Sequence, residues 1–291
     1  KFNVSAICDL DTSRLDEWEQ KYPDVHKYTD FEEFLHDATP EIIVIAIPSR
    51  LHIQYAIKAL ETGKYVLIEK PIALSQNGLD LLRDAEKRFP GKLLCRQNRR
   101  FEACFNHVKE IIASGILGQV FDIRLARHNF GFRDDWQTLK KFGGGMFNNW
   151  GPHLIDHALQ FLDYQVTKPI WSELRRIAAV GDAEDHFKVI LSNENCSVEC
   201  NVSGGVALAD PIYAVRGTRG SLISTDEKTI KLKYLEKNFE LPADAHADED
   251  YPSRDEGKYR FKAHNHRGKC WIQVLLCYDL KCECNTTRHY S

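Results

Sequence analysis

Ile42-Ile-Val-Ile-Ala-Ile47-Pro48 is followed by Leu51 to Leu60 at helical spacing, by Gly63, and by Tyr65-Val-Leu-Ile-Glu-Lys-Pro71. The first run is β-branched without alternation, the pattern of a strand buried on both faces. Pro48 ends it, since proline cannot donate to a ladder. Gly63 closes the helix between, where a left-handed residue is favoured. Tyr65 to Ile68 is a further strand. Strand, helix, strand at this rhythm is a right-handed βαβ unit.

The rhythm extends both ways. Upstream, Val4 to Cys8 is a short apolar strand ending at Asp9. Thr12 or Ser13 caps a helix through Leu15, Trp18 and Tyr22. Thr29-Asp30 caps another, carrying Phe31, Phe34 and Leu35, which Pro40 stops. Downstream, Ser75 caps a helix with Leu79, Leu82 and Ala85, and Leu93-Leu-Cys95 is a fourth strand. Residues 1–98 therefore read as most of a doubly wound α/β domain with a parallel sheet. Residues 99–291 differ. Phe105 to Ile112 and Pro152 to Leu162 are helical, and Gly118 to Arg127 is strand-like. Beyond Trp171, the segments His186–Ser192, Ser197–Val202 and Ile212–Arg216 recur between turns, an antiparallel α+β pattern.

Composition narrows the class. The 291 residues are 43% apolar and 28% charged, with 39 basic against 42 acidic side chains and a net charge of −3. That leaves no footprint for nucleic acid. The longest apolar run is Ile42 to Pro48, far short of the roughly 18–20 residues of a membrane span. Nine cysteines in a chain this large point to reduced thiols and a cytoplasmic setting. Cys270, Cys277, Cys282 and Cys284 lack paired C-x-x-C knuckles, so no zinc site is expected there. The first residue is Lys1, and Lys1 to Asp9 reads as a strand in progress: the expectation is a chain that begins inside a domain. From about His266 the composition changes, without a convincing helix or strand period.

In an open parallel sheet, ligands sit outside the carboxyl ends of the strands. Here those ends carry Asp9, Pro48-Ser49, Glu69-Lys70-Pro71 and Gln97-Asn98. An acidic residue at Asp9 can accept from both ribose hydroxyls of a dinucleotide and repel a 2′-phosphate, which favours NAD over NADP. No G-x-G-x-x-G precedes Asp9; about 20 further residues would have to stand before it. Gly143-Gly-Gly145 instead permits a sharp backbone turn.

These residues carry a resemblance. Glu69-Lys70-Pro71 after a strand, Gln97-Asn98-Arg99-Arg100-Phe101, Gly143-Gly-Gly-Met-Phe-Asn-Asn-Trp-Gly-Pro-His153-Leu-Ile-Asp156, and Arg216 to Ser221 occur in an order that resembles the Gfo/Idh/MocA oxidoreductases. The similarity runs from about Phe2 to Gly220. It implies a Rossmann domain followed by a domain with a large open sheet that packs subunits into a homo-oligomer. It sets Lys70 beside nicotinamide and substrate, where an ammonium can stabilise charge on the reacting oxygen. In related members the Lys–Pro bond is often cis. The family's D-x-x-x-H pair maps to Asn149 and His153, with His153 the general base. Asn149 departs from the usual Asp: an amide can orient an imidazole but cannot compensate its charge in full. Ser49 and Gln97, with Pro48 and Glu69 beside them, would line the nicotinamide side, and His52 neighbours it. Arg133 and Trp136, in the polar segment His128 to Lys141, suit a sugar or polyol.

The expectation is an NAD(P)-dependent oxidoreductase acting on CH–OH groups of a sugar, inositol or related polyol. The alternative is a truncated or catalytically silent homologue that binds a ligand or a partner subunit. His153-Leu-Ile-Asp156-His157 resembles the zinc motif H-x-x-E-H, but Asp stands for Glu and no third ligand is apparent, so no metal is expected.

Overall fold

The computed structural model describes residues 3–235 and, as backbone, the strand Gln273–Leu276. Cys270, Cys277, Cys282, Cys284 and the acidic run 247–256 lie outside the described residues. Two compact units form. One holds the chain up to Gln97 with Asp134–Pro152 and Gly181–Ala183; the other holds Asn98–Arg133, His153–Val180 and the chain from Glu184. The chain therefore returns twice to the first unit, which a single boundary near residue 98 does not anticipate.

The first unit contains β1 (Ala6–Cys8), α1 (Thr12–Lys21), β2 (His26–Tyr28), α2 (Phe31–Leu35), β3 (Ile42–Ile45), α3 (His52–Glu61), β4 (Tyr65–Ile68), α4 (Gln76–Arg88) and β5 (Leu93–Cys95). All strand pairs are parallel: β1 with β2, and separately β3 with β4 and β4 with β5. Asp11, not Thr12 or Ser13, caps α1: its carboxylate accepts from the Ser13 amide and leaves Thr12 and Ser13 inside the first turn. Asp30 and Ser75 cap α2 and α4.

The expectation that β3 is buried on both faces fails. Ile43 and Ile45 are 3% exposed, but Ile42 is 40% and Val44 54% exposed. Helices α3 and α4 contribute Ala56, Ala59, Leu60, Leu82 and Ala85 to the core that takes Ile43 and Ile45. On the opposite face Ile42, Val44, Tyr65 and Leu94 are exposed among the described residues. A β-branched run records strand propensity, and which faces are covered depends on where helices pack.

In the remainder, α5 spans Ala103–Ala113, β6 Val120–His128 and α6 Met146–Phe161. The strands β7 (Trp171–Arg175), β8 (His186–Ser192), β9 (Ser197–Ser203), β10 (Tyr213–Gly217), β11 (Gly220–Ser224), β12 (Thr229–Tyr234) and β13 (Gln273–Leu276) follow. They join β6 in an eight-stranded sheet of order β13-β12-β11-β10-β6-β9-β8-β7, parallel only between β6 and β9. The strand β13 lies in the segment read as patternless; four residues are too few for periodicity to show. In β8 and β9 the side chains alternate, so that Phe187, Val189, Leu191, Val198, Cys200 and Val202 are buried. The Cys200 thiol lies 3.4 Å from the Leu154 carbonyl of α6, on this covered face.

Helix α6 begins six residues before the expected Pro152, which lies inside it. Proline without an N–H reads as a first-turn signal, yet here it only withholds the helical bond from the Asn148 carbonyl. Among the described residues no helix is long and apolar enough to cross a membrane.

Candidate functional site

The first unit holds a pocket of about 280 Å³ at the carboxyl ends of β3 and β4. Ile47, Ser49, Glu69 and Lys70 line it from the strand ends, and Trp136, Gln137, Asn148 and Asn149 line it from the returning segment. The Lys70 ammonium donates to the Asn149 side-chain oxygen at 2.8 Å and to the Asn149 carbonyl at 2.9 Å. Glu69 holds the Arg96 guanidinium. The Lys70-Pro71 peptide is cis. Ser49 is buried; β3 stops at Ile45, short of the expected Pro48, whose carbonyl accepts from the Leu51 amide at 2.8 Å. His52 also lines the pocket, 1% exposed, with both ring nitrogens turned to backbone carbonyls.

The glycine run shapes this wall. Gly143 and Gly145 adopt left-handed conformations, with φ of 78° and 114°. Asn148 donates to the Gly143 and Gly144 carbonyls at 3.2 and 3.1 Å. A Cβ on Gly144 would stand 2.4 Å from the Gln137 carbonyl oxygen and 2.8 Å from that of Leu139. Both obstacles are backbone, so the loop itself would have to move. Gly144→Ala is expected to cost about 1–3 kcal/mol, read as a lower urea midpoint. An unchanged midpoint would show that the loop yields without cost. A Cβ on Gly181 would meet the Thr138 carbonyl at 2.0 Å. The Thr138 carbonyl accepts from the Ala183 amide at 2.9 Å, which ties residues 181–183 to this unit.

Gln97, Asp9, Arg133 and His153 are not among the lining residues. Gln97 donates to the Pro152 carbonyl at 3.2 Å. Asp9 follows β1; one carboxylate oxygen accepts from the Asp11 amide at 2.9 Å, and the other stands 3.6 Å from Arg14. Trp136 is 39% exposed in the pocket wall, whereas Arg133 belongs to the second unit. His153, also in the second unit, is buried and stands four residues after Asn149 on α6.

Asp156 and His157 are engaged within the second unit. The Arg100 guanidinium grips Asp156, donating through Nε to both oxygens at 3.0 and 2.8 Å, and Gln160 adds a bond at 3.0 Å. The His157 ring stacks on Phe105 with centroids 3.7 Å apart. Its Nε2 lies 3.1 Å from the Arg99 carbonyl and so carries the proton, which leaves Nδ1 to accept from the Tyr213 hydroxyl at 3.4 Å. Burial pushes His157 down to about 4. Sequence reasoning had not singled out Gln137 or Asn148 for the pocket, nor Arg100 for Asp156; no local pattern marks contacts between residues over fifty positions apart.

The fit to a nicotinamide dinucleotide can be tested on these residues. The pocket at the strand ends and the carboxylate after β1 suit its nicotinamide and its adenosine ribose. A glycine-rich pyrophosphate turn is not among the 291 residues.

Comparison with known proteins agrees. Residues 1–93 match the oxidoreductase family domain described as an NAD-binding Rossmann fold, and residues 105–223 match the C-terminal domain of the same family. An uncharacterised oxidoreductase of Schizosaccharomyces pombe is 31% identical over 69% of this chain and 57% of its own length. The scyllo-inositol 2-dehydrogenase (NADP(+)) of Bacillus subtilis is 26% identical over 77% of this chain and 62% of its own. The chain thus spans about three-fifths of these relatives. The crystal structure of an NAD-binding protein from Listeria innocua superposes with a TM-score of 0.71 at 29% identity, covering 78% of this chain and 65% of that one. With both domains matched, in order and over most of its length, this chain belongs to the Gfo/Idh/MocA family of NAD-binding oxidoreductases.

Proposed function

We propose that this chain is part of an NAD(P)-dependent oxidoreductase that moves a hydride between nicotinamide and a CH–OH group of a sugar, inositol or related polyol. The observation that carries it is the Lys70 ammonium held by Asn149 in a pocket at the strand ends. The dinucleotide, when bound, supplies the hydride acceptor or donor. Lys70 donates a hydrogen bond to the reacting oxygen and stabilises the negative charge that develops there. His153 takes the hydroxyl proton in the oxidising direction and returns it in the other. Asp9 accepts from the ribose hydroxyls, which favours NAD.

A polyol suits the lining. The Trp136 ring offers a face to C–H groups, and the amides of Gln137, Asn148 and Asn149 offer donors and acceptors to hydroxyls. The B. subtilis relative acts on an inositol by its name. We read the second unit as a homo-oligomer surface: register sets Trp171, Ile190 and Ile223 on the sheet face opposite the buried row, and Trp171 is 48% exposed. The unbridged thiols of Cys8, Cys196 and Cys200 suit a cytoplasmic location.

Titration of the 291-residue chain with NADH, followed by nicotinamide fluorescence, is expected to saturate. Asp9→Ala should weaken binding about 10- to 100-fold, since hydrogen bonds to a charged group contribute ~1.5–3 kcal/mol. In turnover assays over a panel of inositols and hexoses, Lys70→Met should lower kcat by about 10²–10³-fold. The absence of saturable NADH binding would favour the catalytically silent reading, which Asn149 in place of an acid already supports.

A further inference from the structure

His52 is 1% exposed in the wall of the Lys70 pocket, at the start of α3. Its Nδ1 stands 2.8 Å from the Pro71 carbonyl oxygen, and its Nε2 stands 2.8 Å from the Ile47 carbonyl oxygen. Carbonyl oxygens only accept. A neutral imidazole has one N–H and one lone pair. Its single donor could serve one carbonyl, and the lone pair would then face the other oxygen with no proton between them. Turning the ring over would put carbon where each nitrogen stands and lose both bonds. Both contacts are favourable together only when each nitrogen carries a proton.

We propose that His52 is a positioning residue, protonated on both ring nitrogens, that joins the carboxyl ends of β3 and β4 and adds a fixed positive charge to the wall beside Lys70. Pro71 directly follows Lys70, and Ile47 directly precedes Pro48-Ser49. The two bonds therefore tie together the turn that carries Lys70 and the turn that carries Ser49. A buried cation is costly unless bonds and opposite charge compensate it. Here two charge-assisted hydrogen bonds do so, with the Glu69 carboxylate in the same lining. The charged groups of this wall are then His52, Lys70 and Glu69, the last also holding Arg96. The balance is cationic, which favours the electron-rich oxygen that the proposed reaction requires. In its catalytic meaning the inference rests on the proposed function; in its charge state it rests on the two carbonyl contacts alone.

Long-range proton–nitrogen NMR of the ¹⁵N-labelled chain at neutral pH reads the ring directly, with His52 assigned by its loss in His52→Gln. Two nitrogens of protonated type are expected. One protonated and one lone-pair nitrogen would overturn the proposal without any variant having to fold. The second arm follows reductive methylation of Lys70 by peptide mass spectrometry across pH. Loss of a neighbouring positive charge should shift the Lys70 reactivity midpoint to higher pH in folded His52→Gln, and an unchanged midpoint would remove the charge from the account. His52→Gln keeps amide N–H donors, so it should retain more of the native Lys70 protection than His52→Leu; equal loss in both would defeat the positioning role. None of these readouts needs cofactor or turnover. A chain that shows the doubly protonated ring yet binds no NADH would refute the proposed function alone, and NADH binding with a neutral ring would refute only this inference.

Discussion

Replacing His153 by alanine is expected to lower turnover by about 10²–10⁴-fold, the usual contribution of a positioned general base. Helix α6 carries Asn149, whose side-chain oxygen and carbonyl hold the Lys70 ammonium, and His153 follows one helical turn later. Imidazole is the side chain that ordinarily titrates near neutrality, which suits it to exchange a hydroxyl proton. The measurement is single-turnover reduction of NAD in the presence of a polyol that the unmodified protein accepts. Thermal midpoints of both proteins separate chemistry from folding, because His153 is only 6% exposed and its truncation also removes packing. Turnover within a few-fold of normal, in a variant that folds, would take the proton-transfer role away from His153.

Acidification from about pH 6.5 towards pH 4 should remove about 3 kcal/mol of stability through His157 alone, at 1.36 kcal/mol per pKa unit. Burial is the largest cause of its lowered value, about 4 against an ordinary 6.5, and the nearby Arg127 and Arg99 charges act in the same direction. The Arg99 carbonyl and Asp156 oppose them. Between those two values the unfolded chain binds a proton that the folded chain does not. Stability therefore falls as pH drops through the window, and the loss is complete below the folded value. Urea midpoints across this range should fall in the unmodified protein and fall less in His157→Gln. Equal slopes in the two proteins would show that His157 does not govern the acid limb.

Much of the first unit could be read along the chain. Proline, glycine and the capping residues Asp30 and Ser75 punctuate it, and each acts on its immediate neighbours. The strand ends also follow from local order, and Ser49 and Lys70 at those ends line the pocket of this unit. The caps of α1 and the start of α6 were misjudged because neighbouring residues offered equivalent local signals. The returning segments 134–152 and 181–183 left no mark in composition, since tight packing of Gly181 against Thr138 is a contact between distant positions.

Residue order was enough to establish the βαβ alternation, the strand-end positions of Asp9, Ser49 and Lys70, and the motif series that signals the family. These depend on backbone preferences and on spacing, which act over a few residues. Folding in three dimensions assigned the partners. It gave Asn149 to Lys70 across 79 positions, Asp156 to Arg100 across 56, and His52 to two carbonyls at once. It also left one face of β3 exposed. Hydrogen bonding and burial are decided by which surfaces meet, and helix and strand periodicity carries no information about that.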